Sequence, residues 1–336
     1  MVPAPTSLGP ACVGLRVVVR HLLPGETGPS GGPRMTDVLG VMEAWTSGPD
    51  AVTRIRTEGG VVEVPVAAIV SGKPVPPKPS VRLREPLLTM ERRAAQDWPA
   101  EDSAPLGEWL LRAAAGYSRR ANSALALGDP GVPMAEALRR VEEWYAERGL
   151  PALVLTVPTE PVADQVAAEG WVPASDDVLF QVSGVAAALR HLEDQSPEAA
   201  DTAERVTIAD TVDESWWVAD HDPPWSSHVR AVLAGPAEVA LARIEVDGTV
   251  VARGRAALNV GSDVRLGLST LWTRPDLRGQ GLGAGVLRAL LEWAAEGGAT
   301  SAYLQVEAGN TRAVALYERL GFLTHHSYRY LRSPRT

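Results

Sequence analysis

A glycine-dense stretch, Arg278-Gly279-Gln280-Gly281-Leu282-Gly283, lies between an apolar run and a helical pattern. The three glycines leave no side chain in the way of a ligand. A helix that begins at such a loop presents N–H groups without intrahelical partners and a dipole that favours an anion. Arg278 can add a charge-assisted hydrogen bond to the same group. The residue types and their spacing therefore predict a phosphate-binding loop.

Three kinds of phosphate-binding loop have this composition. A Walker-type loop needs a lysine at its end, and the only lysines, Lys73 and Lys78, are far away in the sequence. The dinucleotide pattern G-x-G-x-x-A is matched by Gly279, Gly281 and Ala284, with Glu307 as the later acidic residue. That fingerprint normally follows its strand directly, whereas residues 274–278 intervene here. The third pattern is R/Q-x-x-G-x-G/A, which Arg278 begins.

The wider segment "LSTLWTRPDLRGQGLGAGVLRALLEWAAEGGATSAYLQVEAGNTRAVALYERLGF" resembles the GCN5-related N-acetyltransferase (GNAT) superfamily. A strand leads to P-x-x-R-G-x-G-x-G, followed by a helix, a strand, Asn310 at the start of a helix, and Tyr317 shortly before Gly321-Phe322. The family motifs span about 204–332. A wider and less specific likeness, to actinobacterial acetyltransferases with an N-terminal SH3-like domain and tandem GNAT lobes, covers most of the chain.

The resemblance implies acetyl-CoA as co-substrate and direct attack by an amine on its thioester. It assigns Tyr317 as general acid for the leaving thiolate and the backbone N–H of Thr273, where valine is more common, as oxyanion donor. Asn310 suits an N-cap and would also bind the pantetheine arm; a cap alone, and a core role for Tyr317, stay open. The expected cofactor residues are Leu271, Trp272, Thr273, Arg278, Gly279, Gln280, Gly281, Leu282, Gly283, Ala284, Asn310 and Tyr317.

The acceptor side is less defined. The stretch "SWWVADHDPPWSSHVR", residues 215–230, falls where the resemblance places the segment that covers the acceptor, and its aromatics could instead only pack on the sheet. The general base stays unassigned, since Glu245, Asp247 and Asp263 are hairpin carboxylates of a kind that is usually solvated. The expected acceptor residues are Trp216, Trp217, Asp220, His221 and Trp225.

The pattern along the chain predicts a mixed α+β protein with several parts. Residues 1–12 are expected to be a disordered tail, 13–75 an SH3-like β-barrel, 76–85 a proline-rich linker, 86–190 a degenerate GNAT-like lobe, 191–205 a linker and 206–332 the catalytic GNAT domain. The two lobes repeat the same order of elements. In the first lobe "LGDPGVPMAEAL" lacks R-x-x-G-x-G and contains Pro130 and Pro133, so we expect no cofactor there.

Composition narrows the function classes. The formal net charge is -9 over 336 residues, and the arginines form no basic stripe, so no nucleic-acid partner is expected. Cys12 is the only cysteine, which excludes an internal disulfide and a cysteine metal cluster and fits the cytoplasm. No metal and no membrane span are expected, and tandem lobes are compatible with a monomer. The predicted function is acetyl transfer to a primary amine of a small molecule or protein; the alternative is a non-catalytic acyl-CoA sensor with a partner-binding SH3-like domain.

Overall fold

The protein divides into two compact units, Met1–Ser80 and Val81–Thr336. The computed structural model describes residues 8–27, 32–57, 59–75, 81–218, 222–261 and 263–334. Within the described residues, no helix combines the length and the apolar character needed to cross a membrane. The first unit is a small antiparallel β domain, and the second combines a mixed sheet with helices. The predicted α+β class is therefore confirmed.

The first unit is a five-stranded antiparallel sheet with strand order β4-β3-β2-β1-β5. The strands are β1 Arg16–Thr27, β2 Pro33–Trp45, β3 Val52–Thr57, β4 Gly60–Pro65 and β5 Ile69–Pro74. Alternate residues face a small core, which consists of Cys12, Val17, Val19, Val38, Met42, Ile55 and Val64. The predicted small β domain at 13–75 thus exists at nearly the predicted bounds.

Two of the segments predicted to be irregular are partly ordered. Residues 1–7 lie outside the described residues, but Pro10–Cys12 forms a 3-10 helix and Cys12 is fully buried in the β domain. Likewise, 76–80 lie outside the described residues, and Val81–Arg84 forms a 3-10 helix in the second unit. A tail and a linker were predicted there because both segments are proline-rich. Cys12, within the predicted tail, is buried in the core of the β domain, and Leu83, within the predicted linker, is partly buried in the second unit. Ordered structure therefore begins earlier in both segments than their composition indicates.

The first half of the second unit contains six strands and three helices. They are α1 Leu87–Asp97, β6 Asp102–Leu106, β7 Trp109–Ala113, β8 Ala124–Leu125, α2 Met134–Ala146, β9 Leu153–Thr156, α3 Pro161–Ala168, β10 Val172–Pro173 and β11 Val178–Gly184.

Two helices then join the halves, at the segment 191–205 that was predicted to be a linker: α4 Val185–Gln195 and α5 Ala199–Ala203. The second half follows with β12 Thr207–Ala209, α6 Ser227–Ala234, β13 Val239–Val246, β14 Thr249–Val260, β15 Val264–Thr273, α7 Leu282–Glu296, β16 Ser301–Glu307, α8 Thr311–Arg319 and β17 Leu323–Arg332.

Both halves are built on the same strand pairing. In the first half β6, β7 and β8 pair antiparallel and β8 pairs parallel with β9. In the second half β13, β14 and β15 pair antiparallel and β15 pairs parallel with β16. In each half a helix, α2 or α7, connects the two parallel strands, as parallel pairing requires. This shared topology supports the internal repeat inferred from the sequence.

The halves exchange their last strands. β11, the last strand of the first half, pairs antiparallel with β16 and with β17. β17, the last strand of the second half, pairs antiparallel with β9. As a result, the described strands of both halves form one continuous sheet of twelve, β12-β13-β14-β15-β16-β11-β17-β9-β8-β7-β6 with β10 beside β17.

Candidate functional site

Strands β15 and β16 separate beside the glycine loop. Their parallel ladder runs from Arg265↔Ser301 to Leu268↔Leu304, and both strands continue past its last pair. β15 instead stays paired with β14 as far as Ala252↔Thr273, through an irregularity in register. At that irregularity Thr270 has φ +50, a strained backbone for a β-branched residue. A V-shaped gap therefore opens between β15 and β16.

The glycine loop lies at the open end of β15. Gly279 has φ +83, and Gly281, which is the N-cap of α7, has φ +78, so glycine is required at both for conformational reasons. A side chain at Gly283 would place its Cβ 3.0 Å from the hydroxyl of Thr273. Glycine therefore lets α7 begin directly against the end of β15.

The first turn of α7 supplies the N–H groups that an anion needs. The first four N–H groups of a helix have no intrahelical acceptor, and Gly281 provides no side-chain cap. The side chain of Leu282 is buried and that of Ala284 partly buried in the main core, so only their backbones can serve a ligand. Exposed Arg278 donates from Nε to the Thr273 carbonyl at 3.1 Å. This cradle of glycines, N–H groups and a guanidinium fits a pyrophosphate.

Asn310 and Tyr317 are placed by the short helix that follows β16. The Asn310 side chain accepts a hydrogen bond from the Ala313 N–H at 3.2 Å and so caps α8, as its residue type predicts. Tyr317 is 9% exposed and packs edge-on against Phe322. Burial raises the pKa of Tyr317 to about 12. The hydroxyl therefore keeps its proton at neutral pH. Among the described residues it has no hydrogen-bond partner, so it is available to donate to a ligand.

A row of aromatic rings from both halves packs together beside β13 and β14. Trp217 lies 5.5 Å from Trp225 and 6.0 Å from Tyr117, and Tyr117 lies 6.0 Å from Trp98, measured between ring centroids. Trp216 is buried and donates to the Ala242 carbonyl at 3.2 Å, which makes it a core residue. Of the five residues predicted for the acceptor, Trp217 and Trp225 belong to this row, and Asp220 and His221 lie outside the described residues.

Sequence reasoning missed two arginines in β14. Arg253 is 2% exposed, lies over the rings of Trp216 and Trp217, and donates to Asp222 at 2.5 Å. Arg255 is 1% exposed and donates to the carbonyls of Leu233 and Asp97. Burial lowers the pKa of both, that of Arg255 to about 10. Charged residues inside the apolar run "VVARGRAALNV" were the available signal.

A loop of the first half reaches the end of β16. Residues 114–123 connect β7 to β8, and Arg119 forms an ion pair with Glu307 at the end of β16. Asn122 accepts from the N–H groups of Ala114 and Gly116 and donates to two carbonyls of the loop. The Asn122 side chain is thus satisfied within the loop, and the loop also places Arg119 at the end of β16.

Comparison with known proteins places the chain in a family. Residues 87–331 match the family described as "Probable histone acetyltransferase Rv0428c C-terminal", and residues 11–73 match "Rv0428c N-terminal Sm-like domain". The chain is 28% identical over 331 residues to the probable histone acetyltransferase Rv0428c of Mycobacterium tuberculosis, covering 95% of each chain. It is 28% identical over 246 residues to the uncharacterized N-acetyltransferase YobR of Bacillus subtilis, covering 72% of this chain and 98% of that one.

A solved structure supports the same fold. The GCN5-related N-acetyltransferase from Kribbella flavida superposes with a TM-score of 0.53 at 21% identity, covering 74% of this chain and 95% of that one. The resemblance inferred from the glycine loop, Asn310 and Tyr317 is therefore confirmed at the level of the family, and the small N-terminal β domain is Sm-like. The chain is a member of the GCN5-related N-acetyltransferases, in the family that joins an N-terminal Sm-like domain to a C-terminal acetyltransferase domain.

Proposed function

We propose that the protein transfers the acetyl group of acetyl-CoA to a primary amine of a small molecule or protein in the cytoplasm. The observation that carries the proposal is the gap between β15 and β16 beyond Leu268 and Leu304, with the glycine loop at its mouth. A thioester that enters such a gap can be reached from both faces of the sheet. The family supplies the acetyl donor, and two of the curated relatives are named as acetyltransferases.

Each part of the cofactor would meet a different group of residues. The N–H groups of 279–284 and the guanidinium of Arg278 would hold the pyrophosphate. The backbone of Leu271, Trp272 and Thr273 would border the pantetheine arm, with the Thr273 N–H donating to the thioester oxygen as negative charge develops there. Asn310 would add its amide to the arm while keeping α8 capped. Acetyl-CoA, when bound, supplies the activated acyl group.

Tyr317 would donate its proton to the sulfur that leaves. An ordinary thiol has a pKa of about 8.5, whereas burial raises the pKa of Tyr317 to about 12. Proton transfer from Tyr317 to a thiolate in water is therefore unfavourable. Desolvation raises the pKa of a thiol as it does that of a tyrosine, so the transfer becomes more favourable when the thiolate is desolvated too. The dry core around Tyr317 and Phe322 provides that condition.

The first half would shape the acceptor side without binding a cofactor. Its helix α2 has Pro133 as N-cap and follows Pro130, with no arginine in the preceding loop. We propose that 86–190 and 206–332 act as one body with a single active site, so that a monomer suffices. Its acidic net charge suits an acceptor that carries an ammonium group.

Turnover and binding test the proposal together. Acetyl-CoA affinity is measured by calorimetry, and thiol release is followed with 2-phenylethylamine, spermidine and a lysine-containing peptide. Tyr317→Phe should lower kcat by about 10²-fold with the acetyl-CoA Kd unchanged. Tyr145→Phe, which removes another buried hydroxyl from the first half, is the matched control and should leave kcat unchanged.

The outcomes separate the alternatives. Unchanged turnover in Tyr317→Phe would show that another group protonates the thiolate. Tight binding of acetyl-CoA without thiol release for any amine would favour the non-catalytic acyl-CoA sensor over the transferase.

A further inference from the structure

We propose that Glu307 takes the proton from the acceptor amine and that Arg119, from the first half, positions it. The inference rests on the proposed acetyl transfer. It extends that function by assigning the base and by giving the first half a defined part in catalysis.

Position along the strands favours Glu307. Leu268↔Leu304 is the last pair of β15 and β16, and Leu271 and Glu307 each lie three residues beyond it. Glu307 therefore lies at the same open end of the gap as the part of β15 that would border the thioester. Its side chain is 49% exposed, which leaves it accessible to an amine or to a bridging water.

The two faces of the sheet separate base from acid. Ala302, Leu304 and Val306 of β16 pack in the core that contains Tyr317. Because side chains alternate along a strand, Glu307 projects from the opposite face, where it meets Arg119. The base and the acid act on two different substituents of the tetrahedral carbon, the attacking nitrogen and the leaving sulfur. A base on one face of the sheet and Tyr317 on the other would let each act on its own atom.

Three other carboxylates of the second half are too buried, or too far from the gap, to serve as the base. Asp222 has a 9% exposed side chain and is bound to Arg253. Asp263 lies at the opposite end of β15, paired with Arg93 and Arg265. Glu245 pairs with Arg243 on β13, with β14 and β15 between it and the gap.

The loop that carries Arg119 is rigid. Ala115 and Ser118 have φ +47 and +59, a backbone that costs free energy at non-glycine residues and persists where the surroundings enforce it. The enforcing group is the Asn122 amide, whose oxygen and nitrogen each make two hydrogen bonds to the loop backbone. Arg119 also lies over the ring of Tyr330, 5.3 Å from its centroid. The guanidinium is thereby held in place against Glu307.

The ammonium of the acceptor gives a proton to the Glu307 carboxylate, directly or through one water, and the free amine forms a C–N bond with the thioester carbon. The C–S bond breaks, and the sulfur takes a proton from Tyr317. Glu307 passes its first proton to solvent and takes the second proton, which the nitrogen loses as the amide forms. That second proton also passes to solvent and Tyr317 regains one from there, so the sum is amide, free thiol and one proton.

A pH series on Glu307→Gln tests the assignment. With the best amine of the panel, kcat/KM at pH 7 should fall about 10²-fold, and the deficit should shrink towards pH 9.5, where more of the amine is already neutral. Arg119→Gln should reduce kcat in the same pH-dependent way, and Arg119→Lys should restore part of it. Glu245→Gln is the matched control and should keep the wild-type profile.

Binding provides a readout apart from turnover. In the presence of CoA, which cannot react, the amine should bind Glu307→Gln at least tenfold more weakly, measured by calorimetry. The acetyl-CoA Kd and the Tm should stay close to wild type in Glu307→Gln and Glu307→Asp, which separates loss of the base from loss of the fold.

Two results overturn the inference, and they differ. If wild type acetylates an amine and Glu307→Gln retains its full pH profile, Glu307 is not the base and the transferase function stands. If wild type binds acetyl-CoA and acetylates nothing, the transferase function fails and the base assignment fails with it.

Discussion

At the scale of single residues, a buried carboxylate joins helix α1 to strands β14 and β16 of the sheet. Asp97, at the end of α1, accepts from the Tyr303 hydroxyl at 2.6 Å and from the Asn259 amide at 3.2 Å. Burial raises the pKa of Asp97 to about 6, against an ordinary 3.8, although the hydrogen bonds from Tyr303 and Asn259 oppose the shift. A side chain at Gly267 would collide with the Tyr303 hydroxyl, so the sequence leaves room for this contact.

The raised pKa sets a direction for the pH dependence of stability. The folded state holds the Asp97 proton more tightly than the unfolded chain, so this carboxyl favours unfolding increasingly as pH rises from about 4 through about 6. Asp97→Asn keeps an acceptor for Tyr303 and cannot ionise. Relative to wild type, its free energy of unfolding should rise by about 2–3 kcal/mol between pH 4 and pH 8, measured by urea denaturation.

Asp263→Asn is the matched control with the opposite sign. Partial burial favours the protonated form of Asp263, but hydrogen bonds from Arg93 and Arg265 outweigh it and hold the pKa below its ordinary value. This variant should lose stability relative to wild type as pH rises through 4. A flat difference for Asp97→Asn across the range would mean that Asp97 stays ionised when buried.

Sequence reasoning could name the residues of the proposed cofactor site in advance, but not the proposed pair of Arg119 and Glu307. The glycine loop, Asn310 and Tyr317 are local in sequence, and each has a physical requirement that the chain reveals: φ above zero, a cap, a hydroxyl beside an apolar face. The pair Arg119 and Glu307 is 188 residues apart, and nothing local links the two. Glu307 was noticed only as part of a dinucleotide pattern, whose fold the chain does not have.

At the scale of elements, the segment between the halves forms helices that its polar composition does not indicate. Residues 191–205 are rich in acidic residues, and a linker was predicted. The structure has α4 and α5 there, with Leu192 and Ala199 fully buried. Leu192 packs in the main core, which also contains the apolar residues of α7, while the charged residues of the segment are exposed. A few apolar residues on one face of two short helices give only a weak periodic signal. The many acidic residues around them favoured the prediction of a linker.

The close packing of α5 on α7 can be tested by adding one methyl group to α7. A Cβ at Gly285 would lie 2.5 Å from the Thr202 methyl and 3.0 Å from the Thr202 backbone carbon. Gly285→Ala should therefore destabilise the protein by about 1–3 kcal/mol through overpacking, even though alanine favours a helix over glycine by up to about 1 kcal/mol. Thermal unfolding of the full chain measures the change.

A second substitution isolates the cause. Thr202→Ala removes the methyl, so the double variant should lose less stability than the sum of the two single variants. Gly298→Ala, at a glycine with open space around it, is the control for a glycine that is not packed; it loses stability from its φ of +83 alone, independently of Thr202. Strict additivity of Gly285→Ala and Thr202→Ala would mean that α5 shifts away from α7 freely.

At the scale of the whole molecule, the repeat was readable from the sequence and the strand exchange was not. The order of elements in "YAERGLPALVLTV" and "AAEGGATSAYLQV" recurs, and both halves do share their pairing. Which edge the last strand joins depends on competition between two nearly equivalent edges. β11 reads VLFQVSG and β17 reads LTHHSYRYLR, and neither pattern specifies which of the two edges the strand joins.

The exchange predicts that the halves depend on one another for folding. A fragment ending at Arg205 would lack β17, which separates β11 from β9, and a fragment starting at Val206 would lack β11, which separates β16 from β17. Each fragment would expose strand edges that are buried in the intact sheet. Neither should fold alone, judged by far-UV circular dichroism and cooperative thermal unfolding, whereas a chain cut after Arg205 should stay associated during size-exclusion chromatography.

A cut after Ser80 gives the contrast. The described strands β1–β5 pair only with one another, and β6–β17 do likewise, so both products of this cut keep every strand of their sheets. Each should unfold cooperatively on its own, and the larger should still bind acetyl-CoA with the affinity of the full chain. A cooperative transition from either fragment cut at Arg205 would mean that β11 or β17 can return to its own half, and the single active site would then belong to the second half alone.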